Sequence, residues 1–315
     1  MHYRYQLDSS SKKFECPNCS KRRFVRYVDL ENNAYLPSHI GRCDREVKCG
    51  YHCTPKSVVA YQNYEPQLAP VQEPSIPFEN FEASFVSEEL YKSTLQYYTQ
   101  NNFVKFLKAE LGEDVSQQLI ERYAIGTSKY WDGATIFWQK DIKGEIRTGK
   151  VMLYNPEDGH RVKEPYNHIH WAHSLMLKKG LVEYFFLKQC LFGEHLLSKK
   201  GRKVVAVVES EKTAILMSYF YPKYEWLACG SLSNINKQLF EPLKGWSVRL
   251  YPDLGALEKW KEKAYWLKKQ GLEIVVSSLL DGQATEEEQA RGLDIADYML
   301  KDTLCYQELM QQELV

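Results

Sequence analysis

The sequence predicts an α/β protein: a parallel sheet flanked by helices, preceded by a mixed αβ region and by a small cysteine-rich module. Three observations carry that expectation. After residue 203, short β-branched runs alternate with helical stretches of about 10–15 residues, the rhythm of βαβ units. Between residues 85 and 154, helix-like segments give way to strand-like alternation around a turn. Five of the eight cysteines fall between residues 16 and 53.

Residues 1–58 form the first module. Cys16-Pro-Asn-Cys19 is a C-x2-C knuckle, and Cys43-Asp-Arg-Glu-Val-Lys-Cys49-Gly-Tyr-His-Cys53 follows it. Between them, Phe24-Val-Arg-Tyr-Val28 and the turn-rich Asp29–Ala34 read as a hairpin. Two knuckles at hairpin tips supply the four thiolate or imidazole ligands that zinc takes in a tetrahedron, so the module reads as a zinc ribbon. Cys16, Cys19, Cys43 and Cys49 are the set chosen, with Cys53 and His52 as alternatives to Cys43 or Cys49. In so short a module zinc also replaces a core the chain cannot build. Lys+Arg and Asp+Glu are both 41 over the whole chain, yet residues 1–60 carry eleven Lys/Arg against six Asp/Glu. Arg22, Arg23, Arg26, Arg42, Arg45 and Lys48 interleave with Phe24, Tyr27 and Tyr51. Positive charge beside stacking rings suits single-stranded nucleic acid, and a solvated charged face is the plainer alternative.

Residues 59–84 follow as a linker. Pro66, Pro70, Pro74 and Pro77 forbid a helix and resist a central strand, which leaves an extended, polyproline-like segment.

Residues 85–200 form the αβ region. Ser87 is placed to cap a helix running to about Gln100, and a second helix is expected over Asn102–Leu111. Residues 133–154 alternate like strands around the hairpin signal Asp141-Ile-Lys-Gly144. His160, Arg161, Lys163 and Lys178 make a basic stretch. His168, His170 and His173 are spaced like metal ligands, although ring packing explains them better.

Residues 201–315 carry the parallel sheet. Strands are expected at Lys203–Val208, Trp226–Ala228, Trp246–Tyr251 and Leu272–Ser277, with helices at Lys212–Phe220 and Ala256–Gln270. Glu209 follows the first strand directly and Asp253 follows Tyr251-Pro252. Asp294 and Asp297 come after the strand at Leu272–Ser277. Acids at the carboxyl edge of a parallel sheet sit where α/β folds bind ligands, and together they make a hard oxygen site suited to Mg²⁺. Gly230-Ser-Leu-Ser-Asn234 reads as a βα turn whose N–H groups are also suited to a phosphate. Cys190, Cys229 and Cys305 read as buried hydrophobes.

Val207-Val-Glu209-Ser-Glu-Lys-Thr-Ala214 resembles the first motif of the Toprim domain, which bacterial-type primases and type I topoisomerases share. Tyr251-Pro-Asp253-Leu-Gly255 is similar to its Asp-x-Asp motif, and Gly292-Leu-Asp294-Ile-Ala-Asp297-Tyr298 to the Asp-rich segment that follows in primase-like members. Ile136–Lys150 resembles the basic, turn-containing segment ahead of Toprim in primase cores, and Leu191-Phe-Gly193 the run before its first strand. The order of ribbon, linker, αβ region and Toprim-like domain is also similar. The layout resembles, over most of the chain, zinc-ribbon Toprim proteins encoded on Bacteroidetes mobile elements. One departure stands out: only one Asp occupies the second motif, with Tyr251 and Gly255 flanking it. Glu258, one helical turn on, is the candidate to compensate for it.

The resemblance implies catalytic acids at Glu209, Asp253, Asp294 and Asp297, with Mg²⁺ on Glu209 and Asp253. It implies nucleic-acid contacts from Arg147 and Lys150, besides Arg22, Arg23 and Arg26. The function implied is a primase-like Toprim protein that binds single-stranded DNA, takes nucleotides and carries out Mg²⁺-dependent nucleotidyl or phosphoryl transfer in mobile-element replication. The alternatives are a non-catalytic DNA-binding accessory protein with a degenerate site, and a Toprim nuclease. No stretch of about 18 uncharged apolar residues exists. The N-terminus has no apolar core before a small-residue cleavage site. A cytoplasmic protein without a membrane partner is therefore expected.

Overall fold

The computed structural model describes residues 4–45, 49, 51–55, 83–183, 185–197, 204–281 and 284–312. The expected linker falls outside these residues as far as residue 82. Two compact units form, Met1–Ser84 with His173–Lys188, and Phe85–Ala172 with Gln189–Val315.

The first unit contains β1 (Tyr5–Leu7), β2 (Phe14–Glu15), β3 (Arg22–Asp29), β4 (Ala34–Tyr35), β5 (Gly41–Cys43) and β6 (His52–Cys53). β3 is the spine. It pairs antiparallel with β1, β2, β4 and β5, and β6 adds to β5. The expected hairpin is β3–β4, with Val28 opposite Tyr35. The buried centre is small: Cys16, Phe24, Cys43 and Cys49, with Phe14, Cys19 and Tyr51 against it. Position 41 must be glycine, because a Cβ there would lie 2.2 Å from the Val25 carbonyl oxygen and 2.5 Å from the Phe24 ring. Arg4 closes the far end on Asp29 at 2.8 Å.

The second unit opens with α1 (Glu88–Thr94), α2 (Asn102–Leu111) and α3 (Glu113–Tyr123). Ser87 caps α1 as expected, accepting from the Leu90 N–H. The helix stops at Thr94 rather than near Gln100. Ser93 and Thr94 hydroxyls turn back onto carbonyls at Leu90 and Tyr91, and Tyr97 takes a left-handed conformation that a helix excludes. Asn101 then caps α2 by accepting from the Val104 N–H.

β7 (Ile125–Thr127), β8 (Thr135–Lys140), β9 (Ile146–Met152) and β10 (Ile169–Trp171) form an antiparallel sheet in the order β10-β9-β8-β7. The turn between β8 and β9 is the expected one, closed by the Asp141 carboxylate accepting from the Lys143 and Glu145 N–H groups. α4 (Ala172–Lys178) leads out of β10.

The parallel sheet is built from β11 (Val204–Val208), β12 (Tyr224–Ala228), β13 (Ser247–Leu250) and β14 (Glu273–Val276), in the order β12-β11-β13-β14. Its helices are α5 (Glu211–Phe220), α6 (Lys237–Phe240), α7 (Leu257–Lys268), α8 (Glu286–Arg291), α9 (Ile295–Lys301) and α10 (Thr303–Gln312). β11 is covered on both faces. Ala206 and Val208 join a core with α2, α3, α5 and α9, while Val205 and Val207 join another with α6 and α7. That double burial explains its uninterrupted apolar run. The fold is thus the expected α/β type: a parallel sheet flanked by helices, preceded in sequence by an αβ region and an N-terminal cysteine cluster.

Candidate metal centres and nucleic-acid surfaces

In the first unit, Cys16, Cys19, Cys43 and Cys49 bring their sulfurs within 4.8 Å of one another. Cys16 and Cys49 Sγ are 3.6 Å apart, and Cys19 and Cys43 Sγ 4.0 Å. A tetrahedron with Zn–S near 2.3 Å needs sulfurs about 3.8 Å apart, so the quartet fits zinc. Burial pushes the Cys16 thiol up to about 11, a cost that a bound cation relieves. Cys53 is also buried but stands outside the quartet, and His52 is stacked on Tyr27 at 6.2 Å. The four-cysteine cluster supports a structural zinc.

Arg22 and Arg23 lie exposed on β3. Arg26 is half-buried. Its guanidinium donates to the Leu36 carbonyl and sits over the Phe14 and Tyr35 rings at 5.1 and 5.3 Å. Part of the basic face is therefore spent on the module's own rings.

In the second unit, the parallel register aligns the ends of β11 and β13. Val207 pairs with Leu250, and the Tyr251 N–H donates to the Val207 carbonyl. Glu209 and Asp253 thus leave the sheet at the same edge. The Leu254 N–H donates to the Leu293 carbonyl at 3.0 Å, which brings the Asp294 segment to the Asp253 loop. Asp294 and Asp297 form a reciprocal cap on α9. Asp294 accepts from the Ala296 and Asp297 N–H groups, and Asp297 accepts from the Asp294 N–H. The Thr213 hydroxyl donates to the second Asp294 oxygen, and Lys212 Nζ pairs with Asp297 at 3.3 Å. Both acids are therefore committed to holding α9 against α5.

Glu209 and Asp253 differ. Among the described residues neither carboxylate has a hydrogen bond or an ion pair. Both are half-buried. Burial raises Glu209, opposed by Lys150 and Arg161. Burial raises Asp253 well above the ordinary range, reinforced by the charges of Asp294, Glu209 and Asp297. Two mutually repelling, unpartnered carboxylates are a donor set suited to a hard divalent cation. Among the described residues the cysteine quartet is the one group of three or more metal-binding side chains within ligand distance. No three of Glu209, Asp253, Asp294 and Asp297 come within ligand distance of one another, so the three-acid pocket that motif order suggested does not form. Mg²⁺ commonly keeps several waters beside one or two carboxylates.

At the two positions where the resemblance leads one to expect a second acid, the structure holds a buried ring and an exposed glycine. Tyr251 is buried in the core, its ring 5.2 Å from that of Trp226, and Gly255 is exposed at φ +76°. Glu258 does not supply that acid. Its exposed carboxylate pairs with Lys261 on the same helix.

The sequence did not disclose how the nearby cations are used. Lys150, buried, donates to both Glu211 oxygens at 3.1 and 3.2 Å. Arg147 is paired with Asp141 at 2.7 Å and lies over the Phe85 ring at 4.7 Å. Lys150 and Arg147 thus have carboxylate partners of their own. Arg161 is exposed, has no ion pair among the described residues, and acts electrostatically on both Glu209 and Asp253. Charge alternation gave no signal for these pairs, because the partners lie 61 residues apart in the case of Lys150 and Glu211.

The remaining candidates are structural. His168 stacks on Tyr166 at 4.4 Å, His170 meets Tyr130 and His173 stacks on Phe185. Gly230–Asn234 is a turn closed by the Asn234 amide donating to the Cys229 carbonyl. Cys190 and Cys229 are buried, whereas Cys305 is exposed on α10, contrary to expectation. On α10 the covered positions include Thr303, Tyr306, Gln307 and Met310, so Cys305 falls beside Leu304 on the outer side.

Two segments of the chain match described families. Residues 3–64 match a zinc beta-ribbon finger family, and residues 101–254 match a domain of unknown function, DUF6371. No curated protein matches the chain. Among solved structures, the primase fragment of the bacteriophage T7 primase-helicase is similar at 14% identity and TM-score 0.37, over 89% of this chain and 93% of that one. The Escherichia coli primase catalytic core is similar at 13% identity and TM-score 0.41, over 71% and 83%. The Aquifex aeolicus primase, with its zinc-binding and RNA polymerase domains, is similar at 12% identity and TM-score 0.38, over 98% and 80%. Among the described residues no helix is long and apolar enough to cross a membrane.

Proposed function

We propose that the chain is a primase-like Toprim protein that binds single-stranded DNA and transfers nucleotidyl or phosphoryl groups with Mg²⁺. The observation that carries this reading is the pair of unpartnered carboxylates, Glu209 and Asp253, at the carboxyl edge of a parallel sheet. They would hold Mg²⁺, which supplies charge neutralisation for a reacting phosphate. Arg161 is available for a phosphate oxygen beside them. Lys150 and Glu211 keep the floor polar and fixed, and the Asp294–Thr213 and Asp297–Lys212 contacts hold α9 in place. Cys16, Cys19, Cys43 and Cys49 would hold zinc in the ribbon, and Arg22 and Arg23 would meet the DNA backbone. The mobile-element setting rests on motif resemblance alone.

Primer synthesis on single-stranded DNA with nucleoside triphosphates and Mg²⁺ tests the reading. Labelled product is expected from the wild type and not from Glu209→Gln. The core position of Tyr251 supports a second reading, a non-catalytic DNA-binding protein with a reduced metal site. DNA binding without product in the wild type would establish that one. Nicked plasmid that disappears in Glu209→Gln would instead show a nuclease.

A further inference from the structure

We propose that the outer face of α7 is a docking surface for single-stranded DNA leading away from the Glu209–Asp253 edge, an inference that rests on the nucleic-acid reading above. α7 starts four residues after Asp253 and runs for twelve residues, about 18 Å. Its inner face is fixed: Trp260, Ala264 and Leu267 pack into the sheet's second core. Lys261, Tyr265, Lys268 and Lys269 are exposed, Tyr265 and Lys269 on the side away from the core and Lys261 and Lys268 on its flank.

That outer side combines two features. Of the five lysines in residues 257–269, Lys263 is buried, which leaves Lys259, Lys261, Lys268 and Lys269 exposed together with Glu258 and Glu262. Among the described residues, Lys259, Lys268 and Lys269 have no carboxylate partner, and Lys261 pairs with Glu258. The second feature is a ring pair. Tyr265 is 52% exposed and meets Trp266 edge-on at 5.3 Å, with Lys269 Nζ 4.5 Å from the first ring centre and 5.2 Å from the second. Lysines in the last turn favour the helix dipole, which accounts for Lys268 and Lys269. It accounts neither for Lys259 nor for an aromatic pair held at the surface. Unstacked bases on the rings and phosphates on the lysines use both features together. A duplex keeps its bases stacked inside and would leave the rings unused.

The test measures binding of a fluorescent oligo-dT to the full zinc-loaded chain without Mg²⁺, by anisotropy over a range of salt. Tyr265→Ala should weaken binding about tenfold, and Tyr265→Phe should retain wild-type affinity. Lys268→Ala with Lys269→Ala should make the log–log salt dependence shallower by about 1.4. Wild-type affinity in both Tyr265→Ala and the lysine double variant overturns the α7 surface alone. An equal effect of these variants on duplex DNA also overturns it, as does binding of the wild type to anionic vesicles but not to oligo-dT. A wild type with no affinity for any nucleic acid overturns the broader reading as well.

Discussion

Asp253 carries a pH-dependent consequence that stability measurements can read. Its carboxyl is raised by burial and by Asp294, Glu209 and Asp297. The folded state therefore holds the proton more tightly than the unfolded chain does. The resulting stabilisation is complete below the ordinary value of 3.8 and is lost as pH rises through the higher folded value. Asp253→Asn removes that loss. In metal-free buffer the variant's stability advantage over wild type should grow as pH is raised from 4 to 8, measured by urea unfolding. An advantage that is constant or shrinks with pH would mean that Asp253 has a partner.

At the scale of elements, the reciprocal cap on α9 separates structural acids from free ones. Asp294→Ala removes a helix cap and the Thr213 hydrogen bond together, so about 1–3 kcal/mol of stability should be lost. Glu209→Gln, at a carboxylate without partners, should cost less than about 0.5 kcal/mol. Denaturant midpoints of the two variants compare the losses directly. Equal losses would contradict the division of roles.

Much of this level was legible in the sequence. The Val204–Val208 run, the turn at Asp141–Gly144 and the Asn102–Leu111 helix each follow from short-range chemistry, and each formed as expected. The end of α1 did not follow, because local hydroxyl-to-carbonyl bonds and the left-handed Tyr97 leave no periodic trace. The candidate acids could be named from their places after strands. Which of them were already engaged could not, because Thr213 and Asp294 are 81 residues apart and meet through packing of α5 on α9.

At the scale of the whole molecule, the ribbon and the sheet edge make independent claims. The ribbon has so small a core that metal should dominate its stability. About one zinc per chain is expected by elemental analysis. Cys16→Ser should lose it and Cys53→Ser should keep it, since Cys53 stands outside the quartet. Zinc retained in Cys16→Ser, or lost in Cys53→Ser, would require a different ligand set. Gly41→Ala should disturb the same unit without touching a sulfur, through the Val25 carbonyl and the Phe24 ring.

The central claim is that Glu209 and Asp253 together form a divalent-cation site. Calorimetric titration of Mg²⁺ into the zinc-loaded chain tests it most directly. Binding is expected in the wild type, with affinity at least about tenfold weaker in both Glu209→Gln and Asp253→Asn, the effect of losing one of two charged ligands. No binding in the wild type, or undiminished binding in both variants, would contradict the account.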